Sequence, residues 1–545
     1  MTCNIASHLP AMAEQHPQKT GVVVATGTTR AGTRNYEKMS FSELDQLSSS
    51  YARGFERVGI SRGTRTVLML KPSLDFFAVV FALFKVGAVV ILADPRVGVG
   101  PLRRCLREVD PEAFVGIPLA HVARLVLGLP TVKICVTRGP RLFWGGHKLQ
   151  QLRDDREEPF PVTATDPDEL AAILFTSGST GIPKGAVYTH GIFDAQVRLL
   201  KQMFAFGADE VDLCTFPLFA LFDPALGMTA VVPDMDASRP GSADPEKLVA
   251  AIEDQGCTTM FGSPALVRNL ANFTAKEGRS LPMLRRVLSA GAPVPHDVLE
   301  TMHKALRDEV EVFTPYGATE ALPVCLIGSR TILKDTASGT AEGKGICVGR
   351  PVDEVTVRII SIGDEPIDQW SDDLQVAPGE IGEITVQGPI VTPGYFGRQD
   401  QTALAKIHGH DGGLIHRMGD LGWIDPEGRV WMCGRKAHRV QTAAGPLFTI
   451  PVERVFDNHA GVRRTALVGV GDPGAQLPVL LVEPNDAAHD TSALLDELRQ
   501  LGERCATTEP IHDFLLHPEP FPVDIRHNAK IRREALVPWA EKCLR

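Results

Sequence analysis

No C-x-x-C pair occurs among the 10 cysteines, which are scattered from Cys3 to Cys543. That spacing excludes a zinc ribbon and offers no disulfide framework, so reduced, mostly buried thiols are expected. Long runs of basic charge are missing as well. Lys and Arg number 56 against 66 Asp and Glu, a net charge of −10, and this balance gives nucleic-acid binding no support. The opening residues, Met1-Thr-Cys-Asn-Ile-Ala-Ser-His-Leu-Pro10, have neither the basic stretch nor the apolar core of a secretory leader. Internal repeats are absent too. The nearest approach to a membrane span, residues 76–93, holds a single charge, Lys85. Lys85 and Gly87 cut it into a helical half (74–86) and a β-rich half (88–93) that stops at Asp94-Pro95. A buried helix feeding a parallel strand accounts for that pattern better than a transmembrane helix. A soluble, cytoplasmic protein is expected.

What is present points to an α/β fold. At 545 residues, 44% of them apolar and 22% charged, the chain exceeds one hydrophobic core and calls for two or more domains. Helix-like and strand-like segments alternate through the first 330 residues: a helix over 41–58 with Ser40 as its cap, a strand over 64–70, then the 76–93 pair. Such alternation predicts parallel sheets with crossover helices. Between about 345 and 431 the texture changes to short β-rich pieces, such as 355–360 and 382–387, separated by Pro-Gly turns. These suggest a small antiparallel barrel. After Gly434-Arg435 the α/β pattern returns, with strands at 466–470 and 479–482, and the main boundary falls there: residues 1–434 and 435–545.

The chemistry concentrates in Leu174-Phe-Thr-Ser-Gly-Ser-Thr-Gly-Ile-Pro-Lys184-Gly185. A buried strand, 171–175, breaks into Thr176, Ser177, Gly178, Ser179, Thr180 and Gly181, and Lys184 comes next. Glycine lets backbone N–H groups approach a ligand closely, hydroxyls add donors, and lysine adds a point charge suited to phosphate. A polyphosphate is the expected ligand, although the Walker A spacing is absent. Further along, Ala290-Gly291-Ala292-Pro293 follows an apolar strand and is small enough to lie flat against a nucleobase or to be simply a strand-end turn. In Tyr316-Gly317-Ala318-Thr319-Glu320, tyrosine offers a stacking face, threonine a hydroxyl for phosphate and glutamate a hard oxygen for Mg²⁺. Asp420 lies between glycines in Arg417-Met-Gly-Asp-Leu-Gly422, and a carboxylate can accept two hydrogen bonds at once. The run 216–228, with Phe219 and Phe222, could line an apolar substrate pocket or simply pack in the core.

Three lookalikes fail on context. Gly469-Val-Gly-Asp-Pro-Gly474 spells G-x-G-x-x-G but leads back into a strand. Gly339-Thr-Ala-Glu-Gly-Lys344 is one residue short of a Walker A loop. His408, His410 and His416 lack helical pairing and read as a solvent loop rather than a metal site.

The T-S-G-S-T-G-x-P-K-G loop, Y-G-x-T-E and G-D-x-G together resemble the adenylate-forming superfamily of acyl-CoA synthetases, peptide-synthetase adenylation domains and luciferases. The resemblance implies a large N-terminal domain of two doubly wound sheets plus a small β-barrel, with a small, mobile α/β C-terminal domain. It implies ATP and Mg²⁺, with Tyr316 on adenine, Thr319 on the α-phosphate, Glu320 on Mg²⁺, Asp420 on ribose and Arg435 on ribose or phosphate. Pro522-Val-Asp-Ile-Arg-His-Asn-Ala-Lys530-Ile resembles the segment carrying the superfamily's mobile catalytic lysine, which makes Lys530 the candidate. The junction departs from the pattern: the usual hinge position is Ala437, and Gln441 replaces a lysine.

Residues 114–128 and 142–147, the altered junction and residues 524–530 resemble the bacterial β-lactone synthetases of long-chain olefin biosynthesis, over essentially the whole chain. That likeness implies a long-chain 2-alkyl-3-hydroxy acid substrate, adenylated and then closed by its own hydroxyl. It also implies a thiolase, a reductase and a β-lactone decarboxylase as pathway partners. A long-chain acyl-CoA or acyl-carrier synthetase and a non-catalytic nucleotide sensor are the competing readings.

Overall fold

The computed structural model describes residues 3–28, 34–154, 156–176, 183–216, 219–485, 491–523 and 530–545. Two large sheets organise it. The first has seven strands in the order His147–Lys148, Ile134–Thr137, Ala113–Gly116, Arg65–Met69, Val89–Leu92, Leu170–Phe175 and Gly185–Thr189. All its neighbours are parallel except the last pair, a hairpin. The second begins with the edge hairpin Thr20–Thr28 and Arg34–Ser40. It continues in parallel through Thr229–Val232, Val211–Cys214, Thr259–Gly262, Arg286–Ser289 and Glu311–Ala318.

Past Glu311–Ala318 the same ladder turns antiparallel. Ala321–Gly328, Ile346–Pro351, Val430–Arg435, Leu414–Ile424, Gly382–Gln387 and Thr356–Ile360 succeed one another. The antiparallel unit expected over 345–431 is thus hydrogen-bonded directly into the parallel sheet. The C-terminal part holds a three-stranded sheet, Val462–Val470, Leu477–Pro484 and Asp513–Leu516, covered by the helices Thr449–Phe456, Thr491–Gly502 and Arg533–Cys543. The fold is mixed α/β throughout.

Local sequence explains the elements that carry the core. Helix Phe41–Arg57 starts at a reciprocal cap, in which Ser40 Oγ accepts the Glu43 N–H and Glu43 accepts the Ser40 N–H. Helix Leu74–Lys85 is apolar on every side because every side is covered, and it feeds Val89–Leu92 as expected. Among the described residues no helix is long and apolar enough to cross a membrane. Gly469 and Gly471 lie in the hairpin between two antiparallel strands, so the G-x-G-x-x-G lookalike is a turn. The cysteines are free thiols, and seven of the ten are buried.

The one charge in the 76–93 stretch is fully enclosed. Lys85 Nζ donates to Asp45 Oδ1 at 2.6 Å, Ser49 Oγ at 2.8 Å and Asp45 O at 3.1 Å. Burial pulls the ammonium pKa down and the Asp45 carboxylate opposes that fall. Removing one member of such a pair strands the other charge. Asp45→Ala is therefore expected to lower stability by about 3–5 kcal/mol, and Lys85→Met in that background to restore part of it. Denaturant unfolding of the two variants checks this; a loss under about 1 kcal/mol for Asp45→Ala contradicts it.

Candidate active site

Thr176, Gly291-Ala292-Pro293 and the Tyr316–Glu320 segment lie at the carboxyl ends of parallel strands, where an open α/β sheet leaves a crevice. Leu170–Phe175 and Gly185–Thr189 form the hairpin that carries the phosphate-type loop, and Thr176 N–H donates to Lys184 O at 2.9 Å to close its neck. Ser177, Gly178, Ser179, Thr180 and Gly181 lie outside the described residues. Lys184 is half-buried, with Nζ 4.9 Å above the centre of the Tyr395 ring. Burial lowers its pKa, and the Glu320 carboxylate pulls it back up.

In the other sheet the turn Gly291-Ala292-Pro293 comes directly after strand Arg286–Ser289, with Gly291 and Pro293 exposed. The adjoining strand, Glu311–Ala318, delivers Tyr316 and Gly317 and leads into Thr319 and Glu320. Only glycine fits at 317, since a Cβ there would stand 2.7 Å from Ala321 O. Two tyrosines hold Thr319 and Glu320 in place. Tyr188 Oη donates to Thr319 O at 2.6 Å, and Tyr395 Oη donates to Glu320 Oε1 at 2.7 Å. Because Tyr188 belongs to the seven-stranded sheet, it fastens that sheet to the site of the other.

Asp420 is the centre of the second half. It is 3% exposed. Its Oδ2 accepts the Tyr316 hydroxyl at 2.8 Å, and Arg435 Nη1 stands 3.1 Å from Oδ1, off hydrogen-bond alignment. Oδ1 is therefore a buried acceptor with no hydrogen bond among the described residues. The carboxylate pushes both partners' pKa values up: the Arg435 guanidinium is held charged, and the Tyr316 phenol, already raised by burial, is held neutral.

Lys406, Thr392 and Tyr395 belong to no motif visible in the sequence, and the structure packs them against Glu320. Thr392 donates from both its N–H (2.9 Å) and its hydroxyl (3.1 Å) to Glu320 O. Lys406 Nζ, on a side chain of a residue only 4% exposed, donates to Thr392 Oγ1 at 3.3 Å. Burial pushes the Lys406 ammonium down to about 7, against the pull of Glu320. Tyrosine scarcity is the one signal that points here. The chain has 5 tyrosines, and Tyr188, Tyr316 and Tyr395 all stand at this site.

One sequence expectation is corrected. His408 and His410 are exposed, but His416 is 2% exposed and sits in strand Leu414–Ile424 opposite Lys406. Its Nδ1 lies 3.0 Å from Ala405 O, so that nitrogen bears the hydrogen. Burial first, then the Lys406, Lys184 and Arg435 charges, keep the ring neutral. Pairing of Leu414–Ile424 with Lys406–His408, rather than the surrounding glycines, decides its environment.

The aromatic run packs on itself and on neighbouring rings. Phe219 packs on Phe261 at 4.4 Å and on Phe216 at 5.4 Å, and Phe222 lies 6.2 Å from Phe193. Both Phe219 and Phe222 are half-buried. Asp212 and Asp223 are buried together with Cys214. Burial raises the Asp212 carboxyl to about 7 and pushes Asp223 well above the usual carboxylate range, so the two acids share a proton instead of repelling.

Lys530 is exposed, just before helix Arg533–Cys543. The bridge Val523↔Ile531 and the Arg532 N–H to Pro522 O bond (2.8 Å) set the backbone beside it. Arg533 pairs with Glu453 at 2.6 Å, and its charge, with that of Arg435, falls on the half-buried His438. The C-terminal segment thus lies alongside the junction.

Residues 9–396 match the family described as AMP-binding enzyme. The chain belongs to this family. It is 50% identical to the olefin beta-lactone synthetase of Stenotrophomonas maltophilia (strain K279a), over 99% of this chain and 98% of that protein. The olefin beta-lactone synthetase of Xanthomonas campestris pv. campestris is 49% identical, over 99% and 97%. Among solved structures, ATP-bound MatB from Rhodopseudomonas palustris superposes with a TM-score of 0.79 at 20% identity, covering 100% of both chains. The shared fold is that of AMP-binding enzymes.

The Lys406 environment makes a signed prediction. The ammonium titrates near 7 in the fold, against 10.5 for an unperturbed lysine. Between those values the unfolded chain binds the extra proton, so this group's contribution to stability rises with pH. From pH 7.5 to 9.5 wild type should gain more than about 1 kcal/mol of stability relative to Lys406→Met. Unfolding at both pH values measures it; a constant gap would mean the buried amine stays charged.

Proposed function

We propose that the protein is an ATP-dependent, AMP-forming ligase that activates a long-chain 2-alkyl-3-hydroxy acid and closes it to a β-lactone. Its place would be long-chain olefin biosynthesis. The observation that carries this reading is half identity, along 99% of the chain, with two olefin beta-lactone synthetases. The site geometry supports the first step. Lys184 and the loop from Thr176 would hold the phosphates, and the Tyr316 ring, tethered through its hydroxyl, would face adenine beside Gly291-Ala292-Pro293. Asp420 Oδ1, a buried acceptor with no hydrogen bond among the described residues, suits a ribose hydroxyl, with Arg435 next to it. Thr319 would face the α-phosphate.

Glu320 fits a magnesium ion, because Tyr395 pins Oε1 and the group is a hard carboxylate in a phosphate-binding crevice. When bound, Mg²⁺ would supply charge neutralisation for the pyrophosphate. Residues 435–545 would act as a mobile lid that brings Lys530 to the reacting carboxylate.

In the first half-reaction a carboxylate oxygen attacks the α-phosphorus, the bond to the bridging β-oxygen breaks, and pyrophosphate leaves. Positioning and charge neutralisation dominate such transfers. In the second, the substrate's 3-hydroxyl oxygen attacks the acyl carbon, AMP leaves with the acyl oxygen–phosphorus bond intact, and the hydroxyl proton is lost. Attack within one molecule needs no thiol tunnel, which is compatible with Ala437 and Gln441 at the junction. A thiolase and a reductase would build such an acid, and a β-lactone decarboxylase would consume the product.

Product identification by NMR tests the reading, using the protein, ATP, Mg²⁺ and a long-chain 2-alkyl-3-hydroxy acid, with and without CoA. A β-lactone plus AMP, indifferent to CoA, is expected; a thioester formed only with CoA would make the protein an acyl-CoA synthetase. Two substitutions separate binding from chemistry. Asp420→Ala should raise the KM for ATP about 10- to 100-fold, the worth of a hydrogen bond to a charged group. Lys530→Ala should slow pyrophosphate release by orders of magnitude at little cost in ATP affinity. Pyrophosphate release at the wild-type rate would remove Lys530 from the mechanism.

A further inference from the structure

Seven of the nine large hydrophobic side chains exposed among the described residues fall between Val99 and Phe143, in one corner of the molecule. Helix Pro118–Leu127 is the centre of that corner. It buries Ala120, His121 and Leu127 and turns Leu119 (73% exposed), Val122, Leu125 and Val126 (58%) outward. Positions 119, 122 and 126 keep to the helical repeat, so they form one stripe. Phe143, 79% exposed, is held beside it. It packs edge-on against Trp144 at 5.5 Å, and Trp144 stacks on His121 of the helix at 5.3 Å. Leu142 continues the apolar surface on the same loop, and Val99 does so on the neighbouring helix Val99–Glu108.

The charge around this stripe has the opposite sign to that of the protein. Residues 99–148 hold 8 Lys and Arg against 3 Asp and Glu, +5 in a chain whose net charge is −10. Arg103 and Arg107 reach across to the end of the stripe-bearing helix, where they donate to Val126 O (2.7 Å) and Gly128 O (2.9 Å), both carbonyls. Of the three acids, Glu108 is already paired with Arg398. Arg104, Lys133, Arg141 and Lys148 are exposed around the same corner.

We propose that this corner is a peripheral docking surface for an anionic lipid bilayer or vesicle, with the Leu119–Phe143 cluster inserted among the acyl chains and the arginines on the headgroups. An apolar helical stripe with aromatic side chains at its edge and cations around it is the composition that binds a bilayer interface without crossing it. Anionic lipid supplies the countercharge that this patch, unlike the rest of the chain, requires. The proposal does not rest on the ligase reading, and its test does not use activity.

Co-sedimentation of the full chain with phosphatidylglycerol and with phosphatidylcholine vesicles, at low and high salt, tests it. Partition onto phosphatidylglycerol should exceed that onto phosphatidylcholine at least tenfold and fall with salt. Leu119→Ser/Leu125→Ser/Phe143→Ser should reduce it at least tenfold, and Arg104→Gln/Arg107→Gln should remove the preference for the anionic lipid. Unchanged melting temperatures would show that both variants fold. Equal binding to the two lipids, or a triple variant that still binds, overturns the proposal. So does light scattering that finds a wild-type oligomer dissolved to monomer by the triple variant without vesicle binding, which would assign the face to a protein contact.

Discussion

Asp420 is the carboxylate on which the site's architecture depends. A buried anion is stable only when it is paired and hydrogen-bonded, and its two partners come from different parts of the chain. The Tyr316 hydroxyl arrives from the last parallel strand and the Arg435 guanidinium from the end of Val430–Arg435. Tyr316 is thereby tied to the antiparallel unit, and Arg435, the last residue of its strand, to both. If the carboxylate were absent, the half-buried Arg435 cation and the buried Tyr316 phenol would lose the acceptor they share. The loss would extend beyond one contact, because the 319–320 peptide leaves the Tyr316 strand and is itself held by Tyr188 from the other sheet.

A second buried ion pair continues the same logic toward the C-terminal segment. Glu383 and Arg417 are each 1% exposed at the side chain and meet at 2.6 Å, and Lys436 joins Glu383 at 3.1 Å. Arg439 adds a bond to Asp364 in the adjoining loop. The residues on either side of Ala437 are therefore anchored by charge, while Ala437 itself is exposed and adds none. A junction fixed through Lys436 and Arg439 needs no ionisable side chain at position 437 to hold this arrangement.

The parts legible in the sequence are those whose signal is local. The Ser40 cap, the helix-then-strand division at Lys85–Gly87 and the β-rich 345–431 segment each announce themselves within a dozen residues, and each lies where the pattern puts it. Asp420 is legible as a candidate because its motif is contiguous. Lys406 and Thr392 are not: a lone lysine in Ala405-Lys406-Ile407 looks like any exposed lysine until strand pairing buries it against His416. His416 escapes a sequence reading for the same reason, since flanking glycines describe the loop and say nothing of the partner strand. Lys85 shows the converse. Its charge is visible, but the Asp45 and Ser49 partners that make it tolerable lie 36 to 40 residues away.

The electrostatic balance of the site is set by these burials. Lys184, Lys406 and Arg435 face Glu320, and His416 is kept neutral first by its burial and then by those three cations. Desolvation has moved Lys406 to the point where it exchanges its proton near neutrality, because one carboxylate does not replace the water it has lost. A polyanion placed beside Lys184 and Glu320 would change that sum. It would favour the charged form of each amine, as any close negative charge does. Nucleotide binding in the proposed reading is then linked to proton uptake, and the ligand itself completes the charge pairing that the folded chain leaves unfinished.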